Sequence, residues 1–429
     1  MTDASIRGKG SLSAVLTPRA IEEAAPARLR GVLIGCAVFF AVTGVALRAR
    51  AQEHPKDQGP RTKDQGARAQ ESAQPDRARL RQVVELLASR EFGGRSGAGG
   101  EKTAAYLTEQ FRGLKLEPLF DKEYVQPIPG KEPGTVGGRN VGARLRGRDP
   151  ALRDQWVIVS AHFDHLGVRR GRLYPGADDN ASGVAMMLEV ARSVVQSPAP
   201  PRRSMIFIGF DLEEIGLFGS RYYVAHPPVP LEKVVLFVTA DMIGRSLAGV
   251  CPLHVFVIGS EHAPGLRPWI DEGARGRPLT VGLMGADLLV LNRSDYGPFR
   301  SRGVPFLFFT TGENPRYHTP ADTADTLDYP KLTAISRMIH QVVLKSVNAP
   351  TVPRWQSNPD HPFAEAVTIR DVLRILSKNS EPLKIGGPQL FLINNTLSTL
   401  DGIVARGAIT PDERGRVIQA ARIVLFTVL

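Results

Sequence analysis

Short, continuous apolar runs alternate with helical patterns through the middle of the chain. Residues 156–160 (WVIVS), 204–210 (SMIFIGF), 234–240 (VVLFVTA), 253–259 (LHVFVIG) and 305–310 (PFLFFT) are rich in Val, Ile and Phe. Runs without polar alternation suit strands buried on both faces. Residues 181–195 read as a helix, and so do residues 103–114, where Ala104, Leu107 and Phe111 recur at helical spacing. Val83, Val84, Leu86 and Leu87 predict an earlier helix. Strands alternating with helices predict an α/β layer fold with a largely parallel central sheet. From about Trp355 the pattern becomes wholly helical, over residues 368–376, 387–400 and 410–429. Asp412 and Glu413 open the last of these, where a helix dipole favours acids. A small helical extension over residues 355–429 is expected, with packing or association as its role.

The N-terminal third divides differently. Arg19, Arg28 and Arg30 precede the apolar stretch 31–47 (GVLIGCAVFFAVTGVAL), and Ala49-Arg50-Ala51 follows with the small-x-small form of a cleavage site. The stretch falls slightly short of the roughly 20 residues that span a bilayer. It reads as a cleaved signal peptide (residues 31–51 behind a basic region, 1–30) or as an uncleaved membrane tether through 31–47. Both readings put the folded part outside the cytoplasm: secreted, periplasmic or membrane-anchored. Residues 52–78 are polar, repeat Lys56-Asp57-Gln58-Gly59 as Lys63-Asp64-Gln65-Gly66, and lack apolar periodicity. They are expected to be a disordered linker. The main folded domain is expected over 79–350.

Charge and cysteine content narrow the chemistry. The net charge of +11 is spread among acids, without a basic run interleaved with aromatics. That pattern argues against nucleic acid and for a solvated basic surface. The two cysteines are Cys36, inside the apolar stretch, and Cys251. They provide neither a disulfide framework nor a thiolate metal site. Any metal must be held by His, Asp and Glu.

Those residues cluster just beyond the predicted strands, where open α/β sheets bind ligands. Ala161-His162-Phe163-Asp164-His165 follows the first strand, Asp211-Leu212-Glu213-Glu214 the second and Asp241 the third. Tyr317-His318-Thr319 follows the last, and Gly176-Ala177-Asp178-Asp179-Asn180 precedes the helix at 181. Gathered carboxylates repel one another and raise each other's pKa values. A divalent cation removes that cost, and a His/carboxylate donor set suits catalytic zinc, with manganese or cobalt also compatible. The blander alternatives are helix capping by Asp178 or Asp179, a solvated helix start at Glu213-Glu214, and structural histidines. His54, His226, His254, His262, His340 and His361 are assigned to that structural class, and His165 to a rim role.

In order, His162-Phe163-Asp164, Gly176 to Gly183 (GADDNASG), Glu213-Glu214, Asp241 and Tyr317-His318 resemble the motifs of the M28 family of zinc aminopeptidases. The resemblance spans about residues 81–347, including the Gly94-Arg95 turn. It implies a three-layer zinc-aminopeptidase-like fold and two Zn2+ ions. His162 and Asp241 would hold one ion, Glu214 and His318 the other, and Asp178 would bridge them. Asp164 would orient His162. Glu213 would be the general base, taking a proton from a metal-bound water and passing it to the leaving amine. Ser294, Asp295 and Tyr296 are candidate substrate-binding residues. The family usually has His where Tyr296 stands, and a tyrosine hydroxyl there would donate to an oxyanion. Residues 284–294 and 311–316 are expected to line the substrate pocket.

The function implied is an exported metallo-exopeptidase that hydrolyses the N-terminal bond of peptides. A single-zinc glutaminyl-cyclase-like acyltransferase and a non-catalytic binding ectodomain on the same fold are the alternatives. A carboxypeptidase or dipeptidase activity, the preferred terminal residue and the oligomeric state stay open.

Overall fold

The computed structural model describes residues 74–286 and 291–428. The expected signal or tether segment and nearly all of the expected linker lie outside these residues. The linker's last residues are folded: Asp76 caps the first helix, its carboxylate accepting from the Ala78 and Arg79 N–H groups. Among the described residues, no helix is long and apolar enough to cross a membrane.

Helix α1 (Arg77–Leu87) and helix α2 (Ala98–Gly113) precede the sheet. Leu80, Val84 and Leu87 of α1 are buried, at the spacing of one helical face. The strands follow as β1 (Glu117–Pro118), β2 (Val125–Pro129), β3 (Val136–Leu145), β4 (Trp156–His162), and a small ribbon of β5 (Val168–Arg169) with β6 (Arg172–Leu173). Helix α3 (Gly183–Val195) leads to β7 (Ser204–Phe210), and α4 (Phe218–Ala225) to β8 (Val234–Ala240) and β9 (His254–Ile258). Then come α5 (Arg267–Ala274), β10 (Thr280–Met284), α6 (Tyr296–Arg300), β11 (Phe306–Thr310) and α7 (Tyr329–Asn348). Three helices close the chain: α8 (Phe363–Lys378), α9 (Gly387–Arg406) and α10 (Pro411–Val428).

The main sheet runs β1-β3-β7-β4-β8-β11-β9-β10, with β2 also paired to β3. Its centre is parallel, β7 with β4, β4 with β8 and β8 with β11. Antiparallel pairs flank that centre, at β3/β7 and β11/β9. Every residue of β4 and β7 is buried, as their unbroken apolar sequence requires. Alternate residues serve opposite layers. Val157, Val159 and Ala161 join one core with α1, α2, α3 and α7. Trp156 and Ile158 join the other, with Tyr223 of α4 and Phe299 of α6.

The C-terminal helices belong to this second core. Ile369, Leu373, Ile403 and Val424 pack in the same cluster as Phe256 and Met284 of the sheet. Gly282 of β10 permits the approach: a Cβ there would meet Phe256 Cδ1 at 2.8 Å and Thr368 Cγ2 of α8 at 3.0 Å. The parallel centre directs the carboxyl ends of β4, β7, β8 and β11 to one rim, and the acids and histidines stand there.

Candidate metal centre

His162 is the last residue of β4 and is 1% exposed. Its Nε2 lies 3.3 Å from Asp241 Oδ1, just beyond β8, and 3.5 Å from Asp179 Oδ1. The other oxygen of Asp179, Oδ2, faces a second group. It is 3.1 Å from His318 Nε2 and 3.7 Å from His165 Nδ1. Glu214 completes that group, with Oε2 3.0 Å from His318 Nε2 and Oε1 2.6 Å from His165 Nδ1. One carboxylate thus stands between two clusters of metal-ligating atoms, His162/Asp179/Asp241 and His165/Asp179/Glu214.

That carboxylate is Asp179, where the sequence reading put Asp178. Asp178 is wholly buried and turned elsewhere. Its Oδ1 accepts the Gly244 N–H at 2.7 Å, and its Oδ2 accepts from Asn314 Nδ2 at 3.3 Å with Arg245 3.8 Å away. The physical reason is backbone shape. Asp179 and Asn180 leave helical φ/ψ before α3 begins, so successive side chains project to different sides. Asn180 points back, donating to the Ala240 carbonyl and accepting the Gly183 N–H. Gly183 is required there, since a Cβ would fall 2.5 Å from the Ala240 oxygen.

Asp164 supports two partners at once. Its carboxylate accepts the Glu213 N–H at 3.0 Å and the Glu214 N–H at 3.3 Å, and lies 3.6 Å from His162 Nδ1. It therefore sets the turn that carries Glu213 and Glu214 while facing the far side of the His162 ring. Ser294 donates to Asp241 Oδ2 at 3.2 Å. The expected substrate role of its neighbours does not match their positions. Asp295 and Tyr296 are wholly buried. Tyr296 stacks on Phe306 and Phe308, and its hydroxyl donates to the Leu291 carbonyl. It is a core residue, held by an apolar face that a histidine would not fill in the same way. His165, expected at the rim, is instead 3% exposed and inside the second cluster.

Two supporting residues carried weak sequence signals. Asp322 accepts the N–H groups of both Asp178 and Asp179, at 2.9 and 3.2 Å, and pairs with Arg245 at 2.5 Å. It follows His318 in the short segment His318-Thr319-Pro320-Ala321-Asp322, and that proximity was the available clue. Arg95 is fully buried and donates to the carbonyls of Leu87, Phe163, Pro175, Gly176 and Asp179. In the sequence, only the turn with Gly94 marks its position.

The electrostatics are those of a cation site. Burial, reinforced by the Glu214 charge, raises the Asp179 pKa. Burial also holds Glu213 well above the carboxylate range; His162 opposes this, while Asp241 and Asp295 add to it. For Glu214, burial is outweighed by the hydrogen bonds from His165 and His318, and its pKa falls. Burial likewise opposes a charge on His318, but Asp179 and Glu214 raise it to about 10. Both His162 ring nitrogens and Asp241 Oδ1 are buried without a hydrogen-bond partner. Such atoms are costly unless satisfied, and imidazole and carboxylate are the donors that a catalytic divalent metal takes. The residues fit a metal.

A family model described as peptidase family M28 matches residues 140–343. This segment belongs to family M28. It contains each residue of both clusters. The chain is 29% identical over 205 residues to aminopeptidase YwaD of Bacillus subtilis, covering 46% of this chain and 42% of that protein. A glutaminyl-peptide cyclotransferase of Boiga irregularis is also 29% identical, over 247 residues, covering 46% of this chain and 63% of that protein. The match thus spans less than two thirds of either curated relative. In fold, the chain is similar to the LapA aminopeptidase of Legionella pneumophila, with a TM-score of 0.53 at 19% identity, covering 69% of this chain and 78% of that one.

Proposed function

We propose that this chain is an exported zinc-dependent aminopeptidase that hydrolyses the N-terminal peptide bond using two metal ions. The observation that carries the reading is the placement of Asp179, with one oxygen toward His162 and Asp241 and the other toward His165, His318 and Glu214. His162, Asp179 and Asp241 would hold one ion, and Asp179, Glu214 and His318 the other, with His165 packed against that second set. Zinc in such a site supplies Lewis acidity and lowers the pKa of water. Glu213 is the general base: it takes the proton of the attacking water and returns it to the departing amine. Asp164 keeps Glu213 in reach by holding its backbone N–H. Export rests on the apolar segment 31–47 with its arginines and small-x-small end.

The test joins metal analysis to a panel of aminoacyl-4-nitroanilides. Two zinc ions per chain and turnover of the panel are expected. Glu213→Gln should lower kcat by about a thousandfold with metal content retained. Turnover unaffected by that substitution would end the reading. The cyclotransferase similarity favours a second reading, glutaminyl cyclisation with one zinc. Full activity near one ion per chain, on N-terminal glutamine substrates, would select it.

A further inference from the structure

The second cluster holds one imidazole more than the ligand set assigned to the second ion. His165 is buried, and its backbone N–H donates to the Arg95 carbonyl at 3.4 Å. Gly176 closes in its ring: a Cβ there would fall 2.5 Å from His165 Cδ2. His165 Nδ1 stands 2.6 Å from Glu214 Oε1 and 3.7 Å from Asp179 Oδ2. Nε2 is buried and has no hydrogen-bond partner among the described residues. The ring thus turns its polar contacts toward two carboxylates of the second ion. On the same two carboxylates, His318 Nε2 lies 3.1 Å from Asp179 Oδ2 and 3.0 Å from Glu214 Oε2.

Donor atoms around a tetrahedral zinc, each about 2.0–2.1 Å from the ion, stand about 3.3 Å from one another. The four separations between these imidazoles and carboxylates run from 2.6 to 3.7 Å and bracket that distance. Two imidazoles on one such ion keep their ring centres about 5–6 Å apart. Those of His165 and His318 are 5.8 Å apart, with the planes inclined at 65°. The first cluster differs in kind, with one imidazole, His162, facing Asp179 and Asp241. The plainer role for His165 is to donate from Nδ1 to Glu214 and steady it. That role makes a distinct prediction, because an asparagine amide N–H also donates but has no imidazole nitrogen to offer a metal.

We propose that His165 is itself a ligand of the second ion, through Nδ1, so that two imidazoles and two carboxylates hold it: His165, His318, Asp179 and Glu214. Ligation requires that Nδ1 be the unprotonated ring nitrogen, with the proton on Nε2. A donor set rich in imidazole suits zinc, where carboxylates alone suit magnesium or manganese. The inference rests on the two-ion part of the peptidase reading, and metal binding tests it without turnover.

Full-length His165→Asn and His165→Ala, stripped with a chelator and reloaded with zinc or cobalt, are compared with the unmodified chain. After dialysis the unmodified chain should keep two zinc ions and each variant one, the Kd of the second ion having risen at least about a hundredfold. At saturating cobalt, each coordinated imidazole gives a hyperfine-shifted N–H proton resonance. Three are expected from the unmodified chain, for His162, His165 and His318, and two from His165→Asn. Should His165→Ala fail to fold, His165→Asn carries the same readouts and still offers Glu214 a hydrogen bond. If His165→Asn holds both zinc ions tightly and keeps every shifted resonance, His165 only steadies Glu214 and the proposal is overturned. One ion in the unmodified chain would instead sink the two-ion reading. Loss or survival of one shifted resonance in His165→Asn would then still decide whether His165 is a ligand.

Discussion

Asp178 and Asp179 are adjacent in sequence and opposite in what they hold. Asp179 faces both imidazole–carboxylate clusters, whereas Asp178 accepts from Gly244 and Asn314 and lies near Arg245. Asp179→Asn should therefore remove bound metal and lower kcat/KM by at least about a hundredfold. Asp178→Asn keeps an oxygen for Gly244; it should retain its metal and lose about 1–2 kcal/mol of stability in a urea titration. Metal lost equally from both variants would contradict the geometry. Motif order singles out this pair but cannot choose between its members. Two like residues in a row differ only through backbone φ/ψ, and Asp179 and Asn180 are non-helical where a helix start was expected. Tyr296 illustrates the same limit. Its position in the sequence suggested substrate, but its burial against Phe306 and Phe308 depends on a packing face contributed by β11. Tyr296→Phe should leave turnover within about twofold and cost about 1 kcal/mol, from the lost bond to Leu291.

At the scale of elements, the unbroken apolar strands were legible because burial on both faces leaves no polar position. β3 was not, since VGGRNVGARL carries glycines and arginines and sits among antiparallel neighbours, partly exposed. β10 is short and lies at the edge, and its partner layer is α8. Joining elements of different kinds is the task of Arg95, which ties the end of α1, the segment after β4 and the loop before α3. Neither Met nor Lys reproduces a planar guanidinium that serves several carbonyls. Both Arg95→Met and Arg95→Lys should lower unfolding free energy by about 3 kcal/mol or more; a loss below about 1 kcal/mol would show that solvent replaces these bonds. Helix α7 offers a pH test. Burial lowers the His340 pKa from 6.5 to about 4, with the Arg192 and Arg277 charges adding to the effect. Both ring nitrogens lack a hydrogen-bond partner among the described residues. The unfolded chain binds that proton more readily than the folded one. The stability is therefore fully present above pH 6.5 and is lost as pH falls toward 4, by roughly 3 kcal/mol at most. His340→Leu should flatten that part of the pH–stability curve, which urea titrations at several pH values would reveal.

For the whole molecule, the cation site sets the link between folding and chemistry. The parallel centre of the sheet delivers acids from β4, β7 and β8 to one rim, so folding itself concentrates negative charge there. Without a cation the side chains share protons instead: Asp179 and Glu213 have raised pKa values, and His318 is raised to about 10. Ligation needs neutral imidazole and ionised carboxylate, so cation binding must expel these protons. The sign follows. Below the His318 pKa of about 10, proton and metal compete for the same nitrogen, so affinity for metal should weaken as pH falls from 8 to 6. Calorimetric titration of chelated, dialysed protein with zinc in two buffers of different ionisation enthalpy measures the protons released; none released would mean that these side chains are not the ligands. The same coupling affects folding. Metal bound only by the folded state adds about 2.7 kcal/mol per site at a hundredfold excess over Kd. Chelation should accordingly lower the melting temperature by several degrees, and zinc should restore it. In Asp179→Asn, which lacks the shared carboxylate, zinc should raise the melting temperature far less than in the unmodified chain. An equal zinc shift in the two proteins would mean that the ion stabilises the fold from some other place.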